Sequence, residues 1–112
     1  GKYENNPEVI TKEEAIEKAT NKDKEMTKNE ISEITIEKGI RKMNNNIYNL
    51  ENANITENKI IEIENIIRNV WIVKIKHKNN IKFKDEIDLL RGADKAYYID
   101  ISTNEIIGGI IL

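Results

Sequence analysis

From residue 70 onward, hydrophobic and polar positions alternate. In Val70 to Lys76, Trp71, Val73 and Ile75 fall on one side, and Ile72, Lys74 and Lys76 on the other. That is the two-residue period of a strand. The lysines mark their side as solvated, so the Trp71 side is predicted to be buried. Tyr97, Ile99 and Ile101 then alternate against Ala96, Tyr98 and Asp100, and the apolar run resumes from Ile106 to Leu112. The polar Ser102-Thr103-Asn104 between them predicts a hairpin, with Asn104 in the left-handed conformation usually given to glycine. Asp100 is expected to accept from the turn amides around Ser102 and Thr103. Gly108-Gly109 predicts a bulge or a point of close contact in the returning strand. An earlier strand is predicted from Ile60, with Ile61 and Ile63 opposite Glu62 and Glu64, followed by a turn at Arg68-Asn69. Asn79-Asn80 reads as a turn, Ile81 and Phe83 as a brief strand continuation, and residues 85–90 as a helical turn closed by Gly92.

Upstream the period changes. Thr11-Lys12-Glu13-Glu14 is a capping box, in which the Thr11 hydroxyl accepts from the Glu14 amide and the Glu14 carboxylate reaches back to the Thr11 amide. Glu13 and Glu14 also suit the positive end of a helix dipole. Ile10 and Ala15 sit at staple positions, and Ala15, Ile16 and Ala19 share one face of a helix running to Thr20. Its end is not marked, because residues 21–28 are almost entirely polar. Thr27-Lys28-Asn29-Glu30 repeats the capping pattern. Ile36, Ile40, Met43 and Ile47 then follow at helical spacing, with Ile31 and Ile34 earlier, which predicts a second helix over residues 29–43, weakened by Gly39 and ended or bent by Asn44-Asn45-Asn46. Residues 47–58 read as loop. Residues 1–9, polar and containing the only proline, read as a flexible N-terminal tail or tether, and 10–112 as one domain. The predicted core is Ile16, Ala19, Ile36, Ile40, Ile61, Ile63, Trp71, Val73, Ile75, Tyr97, Ile99, Ile101 and Ile107. The fold class is α+β: an antiparallel meander of three to four strands with one or two helices on one face.

Composition narrows the function. At 112 residues the chain supports one modest core. A net charge of −2 at pH 7, with 34% charged residues, argues against wholesale nucleic-acid binding. The absence of cysteine removes disulfides, thiolate metal sites and cysteine nucleophiles. No apolar run approaches the ~18 residues of a membrane span. The chain opens at Gly1 without a methionine, which reads as a piece of a longer product. The abundance of Ile, Asn and Lys reads as the codon bias of an AT-rich genome.

Candidate chemistry is sparse. His77, the only histidine, lies between Lys76 and Lys78 and is expected to be a solvated surface residue. Ser32 or Ser102 could be combined with His77 and Asp100 into a Ser-His-Asp set, but no nucleophile-elbow sequence surrounds either serine. Asp100-x-Ser102-x-Asn104 mimics the start of a calcium loop, yet Glu105 stands where glycine is needed and Ile111 where a glutamate is needed. Asn54-Ile55-Thr56 fits a glycosylation acceptor pattern, without weight in a bacterial setting. Lys74, Lys76, Lys78, Lys82 and Lys84 form a basic stretch, read either as a solvated face that deters edge pairing or as a contact for an anionic surface. No catalytic residue, cofactor site or metal site is named.

Two segments together resemble a known family. Ile10-Thr11-Lys12-Glu13-Glu14-Ala15-Ile16-Glu17-Lys18-Ala19 is similar to the opening helix of PepSY domains. Trp71-Ile72-Val73 with Tyr98-Ile99-Asp100-Ile101-Ser102-Thr103-Asn104-Glu105-Ile106-Ile107 is similar to their closing strands, with Asn104 where the family usually has glycine. The resemblance implies a helix packed on a small antiparallel sheet, PepSY-like or cystatin-like. It also implies a non-enzymatic, secreted or cell-envelope binding module, exported and in full length lipid-anchored, that modulates or inhibits a peptidase. The alternative expectation is an attachment or sensing module contacting anionic wall polymer or lipid through the lysine-rich hairpin. Nucleic acid is not expected as a partner, and a homodimer through sheet edges is left open.

Overall fold

The computed structural model describes residues 1–44, 46, 65–79 and 92–112. The order is β1 (Lys2–Glu4), α1 (Lys12–Met26), β2 (Ile31–Lys42), β3 (Ile66–His77), β4 (Lys95–Asp100) and β5 (Ile106–Ile111). It is a mixed α+β fold in which, among the described residues, one helix packs on a curled, mostly antiparallel sheet of five strands. β3 is the central strand. β2 runs antiparallel along one edge of it from Lys42↔Ile67 to Ile31↔His77. β4 takes the other edge at residues 70–75, and β1 pairs in parallel with Ile66–Arg68 beyond the end of β4. β5 returns antiparallel on β4.

The capping box forms as expected. Glu14 N donates to Thr11 Oγ1 and Thr11 N to Glu14 Oε1, each at 3.1 Å. The helix runs on to Met26, past the point where its apolar pattern fades. Thr27 closes it: its backbone is extended, and its hydroxyl accepts from Asn29 N. What resembled a second capping box is therefore a stop.

The second helix expected over residues 29–43 is strand β2. Its spacing was ambiguous because i, i+4 satisfies a period of two as well as 3.6. Ile34 and Ile36 fit only the strand, and Ile34-Thr35-Ile36 is a β-branched run that resists helix. Gly39 belongs here for steric reasons, since a Cβ at that position would lie 2.6 Å from Ile72 Cδ1. Arg68-Asn69 is not a turn but the interior of β3, which begins at Ile66.

Trp71, Val73, Ile75, Tyr97, Ile99, Ile101 and Ile106 form the buried layer under α1, joined by Ile10, Ala15 and Ala19, with Ile16 and Ile36 packed against it. The side of β3 expected to be solvated is covered at Val70 and Ile72, while Lys76 on the same side is exposed as expected. Val70, Ile72, Ala96, Tyr98 and Ile107 form a second buried cluster with Met43 against it. Ile40, expected in the core, is 54% exposed, because it lies across from Asn69 at the far end of the edge strand. Residues 1–9 contain strand β1 and the buried Asn6. The strand expected at Ile60, the loop over 47–58, the features from Asn80 to residue 90, and the Asn54-Ile55-Thr56 pattern lie outside the described residues.

Asparagine amides act as surrogate peptide groups at the joints. Asn6 lies between β1 and β4 along β3, donating to Asn69 O at 3.0 Å and accepting from Asn69 N at 2.7 Å. Asn44 does the same on the outer edge of β5, donating to Gly109 O at 2.8 Å and accepting from Gly109 N at 3.0 Å. Gly108 makes that approach feasible, since a Cβ there would meet Asn44 at 3.0 Å. The register of β4 and β5 also shifts beside it. The hairpin holds Asn104 at φ 63°, with Ser102 N donating to Asp100 Oδ1 at 2.8 Å.

Replacing Ile99, fully buried, by Ala should cost about 2–5 kcal/mol in urea unfolding. The same truncation of Ile40 should stay within about 0.5 kcal/mol.

Candidate functional site

The buried face of α1 is apolar in its first half and beyond that only at Met26. Ala15 and Ala19 make the stripe, and four residues further on the same stripe carries Asp23, fully buried. Two strands present polar side chains to it. His77 extends the Trp71-Val73-Ile75 alternation by one position, and Lys95 precedes Tyr97 and Ile99 on theirs. All three meet under the last two turns of the helix.

His77 is thus not a solvated residue: its side chain has no exposed surface. Its Nε2 lies 2.7 Å from Asp23 Oδ2, and its Nδ1 lies 3.1 Å from Asp94 Oδ1. Both partners are carboxylate oxygens that only accept, so the ring fills both contacts as a donor when it is an imidazolium. Asp94 Oδ1 also accepts from the His77 amide at 2.8 Å. The other oxygen of Asp23 accepts from the Tyr97 hydroxyl at 2.7 Å and faces Lys95 Nζ at 3.7 Å. Lys95 Nζ donates to Ala93 O at 2.9 Å. Each polar group of the cluster finds a partner within it, which is the condition for tolerating such groups away from bulk water. Burial pushes the Lys95 ammonium below its ordinary pKa, and the charges of Asp23 and Asp94 oppose that push.

This network fastens α1 to β3 and β4 by the face carrying Asp23. The flanking face of the helix, with Thr20 and Lys24, turns toward β2 and forms one wall of a groove of about 550 Å³. Ile31 and Ile34 of β2 form the opposite side, and Thr27 to Glu30 close one end. Asn29 holds that end in place through Nδ2, which donates to Asn79 O at 2.7 Å and Gly92 O at 2.9 Å. Thr20 Oγ1 is buried without a hydrogen-bond partner in the fold. Beside the groove runs the outer edge of β2, which pairs with no other strand among the described residues.

The residues singled out from sequence are dispersed. Lys74 and Lys76 lie on the face of β3 away from α1, interleaved with acids of β2: Lys74 Nζ is 3.9 Å from Glu37, and Lys76 pairs in register with Glu33. Lys78 Nζ is 2.9 Å from Glu30. Lys82 and Lys84 lie outside the described residues. Ser102, His77 and Asp100 do not converge. The Ser102 hydroxyl donates to Pro7 O, while Asp100 accepts from Asn6, Ser102 N and Arg68. Asp23, Lys95 and the groove were missed. Their signal was positional, since each polar residue occupies the next buried place in an apolar row.

His77→Leu should cost about 3–5 kcal/mol in chemical denaturation, because the buried Asp23 carboxylate loses its 2.7 Å partner. Lys78→Gln, at an exposed pair, should stay within about 0.5 kcal/mol. For Lys95 the pKa is lower in the folded than in the unfolded chain, so the unfolded chain holds more protons between the two values. Its burial penalty is full below the folded pKa and fades as pH rises toward the ordinary lysine range. Unfolding stability of the native chain relative to Lys95→Met should therefore rise over that alkaline window, read by denaturant titration at several pH values.

Compared with known proteins, the chain matches no family model, no curated protein and no solved structure.

Proposed function

We propose that this chain is a non-enzymatic binding module that takes an extended polypeptide segment along the outer edge of β2. The observation that carries the reading is the twelve-residue edge lying beside the groove under α1. A strand added there satisfies its backbone on β2, and every second side chain points into the groove, the general logic of β-augmentation. Ile31 and Ile34 offer an apolar floor, Thr20 an unmet hydroxyl, and Lys24 and Lys28 positive charge for an acidic side chain or terminal carboxylate.

Restraint of a secreted or envelope peptidase, the role implied by the PepSY resemblance, is one use of such a surface. In that reading the sheet and helix are PepSY-like or cystatin-like, the protein is exported, and the bound segment belongs to the peptidase. Attachment to anionic wall polymer or lipid through Lys74, Lys76 and Lys78 has less support, because Glu30, Glu33 and Glu37 interleave with them.

Selection of random peptides displayed on phage against the purified chain tests the reading. Enriched sequences should alternate apolar residues and carry an acidic group, and Ile34→Glu should weaken their binding by about tenfold or more without loss of circular-dichroism signal. Absence of enrichment, or binding untouched by Ile34→Glu, would overturn it. Titration of the chain against secreted metallopeptidases of the same source decides the peptidase part separately.

A further inference from the structure

Charged residues on an edge strand ordinarily deter pairing. On β2 they are sorted by sign along the strand: Glu33 and Glu37 come first, and Lys38, Arg41 and Lys42 follow toward its end. A second copy laid parallel would set like charge beside like. A second copy laid antiparallel sets acid beside base twice, once on each side of a two-fold axis.

The apolar residues fix the register. Even-numbered positions 34, 36, 38 and 40 of β2 share the face that carries Trp71 and Val73 on β3. Ile34 lines the groove, and Ile40 stands exposed at the other end of the same face. An antiparallel pairing that sets Ile40 of one copy opposite Ile34 of the other also sets Arg41 opposite Glu33, Lys42 opposite Ser32 and Gly39 opposite Thr35. The exposed isoleucine then covers the mouth of the partner's groove, and both helices stay on one side of a continuous sheet. The axis passes through Glu37, which meets its own twin, with Lys74 at 3.9 Å on each copy to offset the repulsion.

We infer that two copies of this chain pair through β2 in this register. The inference rests on the reading of the β2 edge as the contact surface, and it names the occupant of that edge when no other polypeptide fills it. A single strand edge is a small interface, so the dimer is concentration-dependent.

The test uses the whole chain, in which any introduced cysteine is unique. Sedimentation equilibrium should show a monomer–dimer equilibrium. Under mild oxidation Glu37→Cys should give a covalent dimer, because only the axial residue faces its own twin. Ser32→Cys, opposite Lys42 and far from its twin, should not. Arg41→Glu should raise the dissociation constant by about tenfold, and adding Glu33→Arg should restore it. Glu37→Gln should tighten the pair. A chain monomeric at all concentrations, equal cross-linking of the two cysteine variants, or an Arg41→Glu effect that Glu33→Arg does not reverse would overturn the self-pairing. Peptide selection on a chain that stays monomeric would leave the strand-edge reading standing, so the two fail separately.

Discussion

The contact between His77 and Asp23 is the interaction on which the rest depends. An Ala15–Ala19 stripe gives a helix little apolar surface with which to hold a sheet. The second half of α1 has almost none, since its remaining residues are polar apart from Met26. What keeps those last two turns down is a set of charge-assisted hydrogen bonds in a dry setting, which are short and strong provided every member is paired. Because the fastening is polar it is also directional. It fixes the rotation of the helix as well as its position, and thereby decides that Thr20 and Lys24 face β2.

The asparagines do a comparable job at lower stakes. Asn6 fills the interval between β1 and β4, Asn44 docks on the rim of β5, and Asn29 ties the loop between α1 and β2 to Asn79 and Gly92. Asn6 and Asn44 each supply one donor and one acceptor on a short stem, the same pair a peptide unit offers, and Asn29 donates twice. The high asparagine content, read from sequence as a mark of base composition, therefore has an architectural use at the described positions.

Much of the scaffold was legible in the chain, and the site was not. The capping box, the alternation through Trp71 and Tyr97 and the left-handed Asn104 are local signals, and they hold because each depends on neighbours a few residues away. β2 was misread because its isoleucines satisfy two periods at once, and only the Ile34–Ile36 pair distinguishes them. The buried network was lost for a different reason. Asp23, His77 and Lys95 lie 54 and 18 residues apart in sequence, and each alone has the character of a surface residue. In the fold all three continue buried rows, whereas residue type alone would put them in water. Only their mutual pairing, a long-range fact, makes those positions tolerable.

The asparagine cap on β5 has one more consequence. A sheet with two open rims polymerises, because each addition exposes a fresh rim for the next. Here Asn44 and Asn46 occupy the outer rim of β5 at Gly109, so among the described residues the long unpaired rim is that of β2. With the β5 rim closed in this way, a pairing through β2 of the kind proposed would stop at two copies.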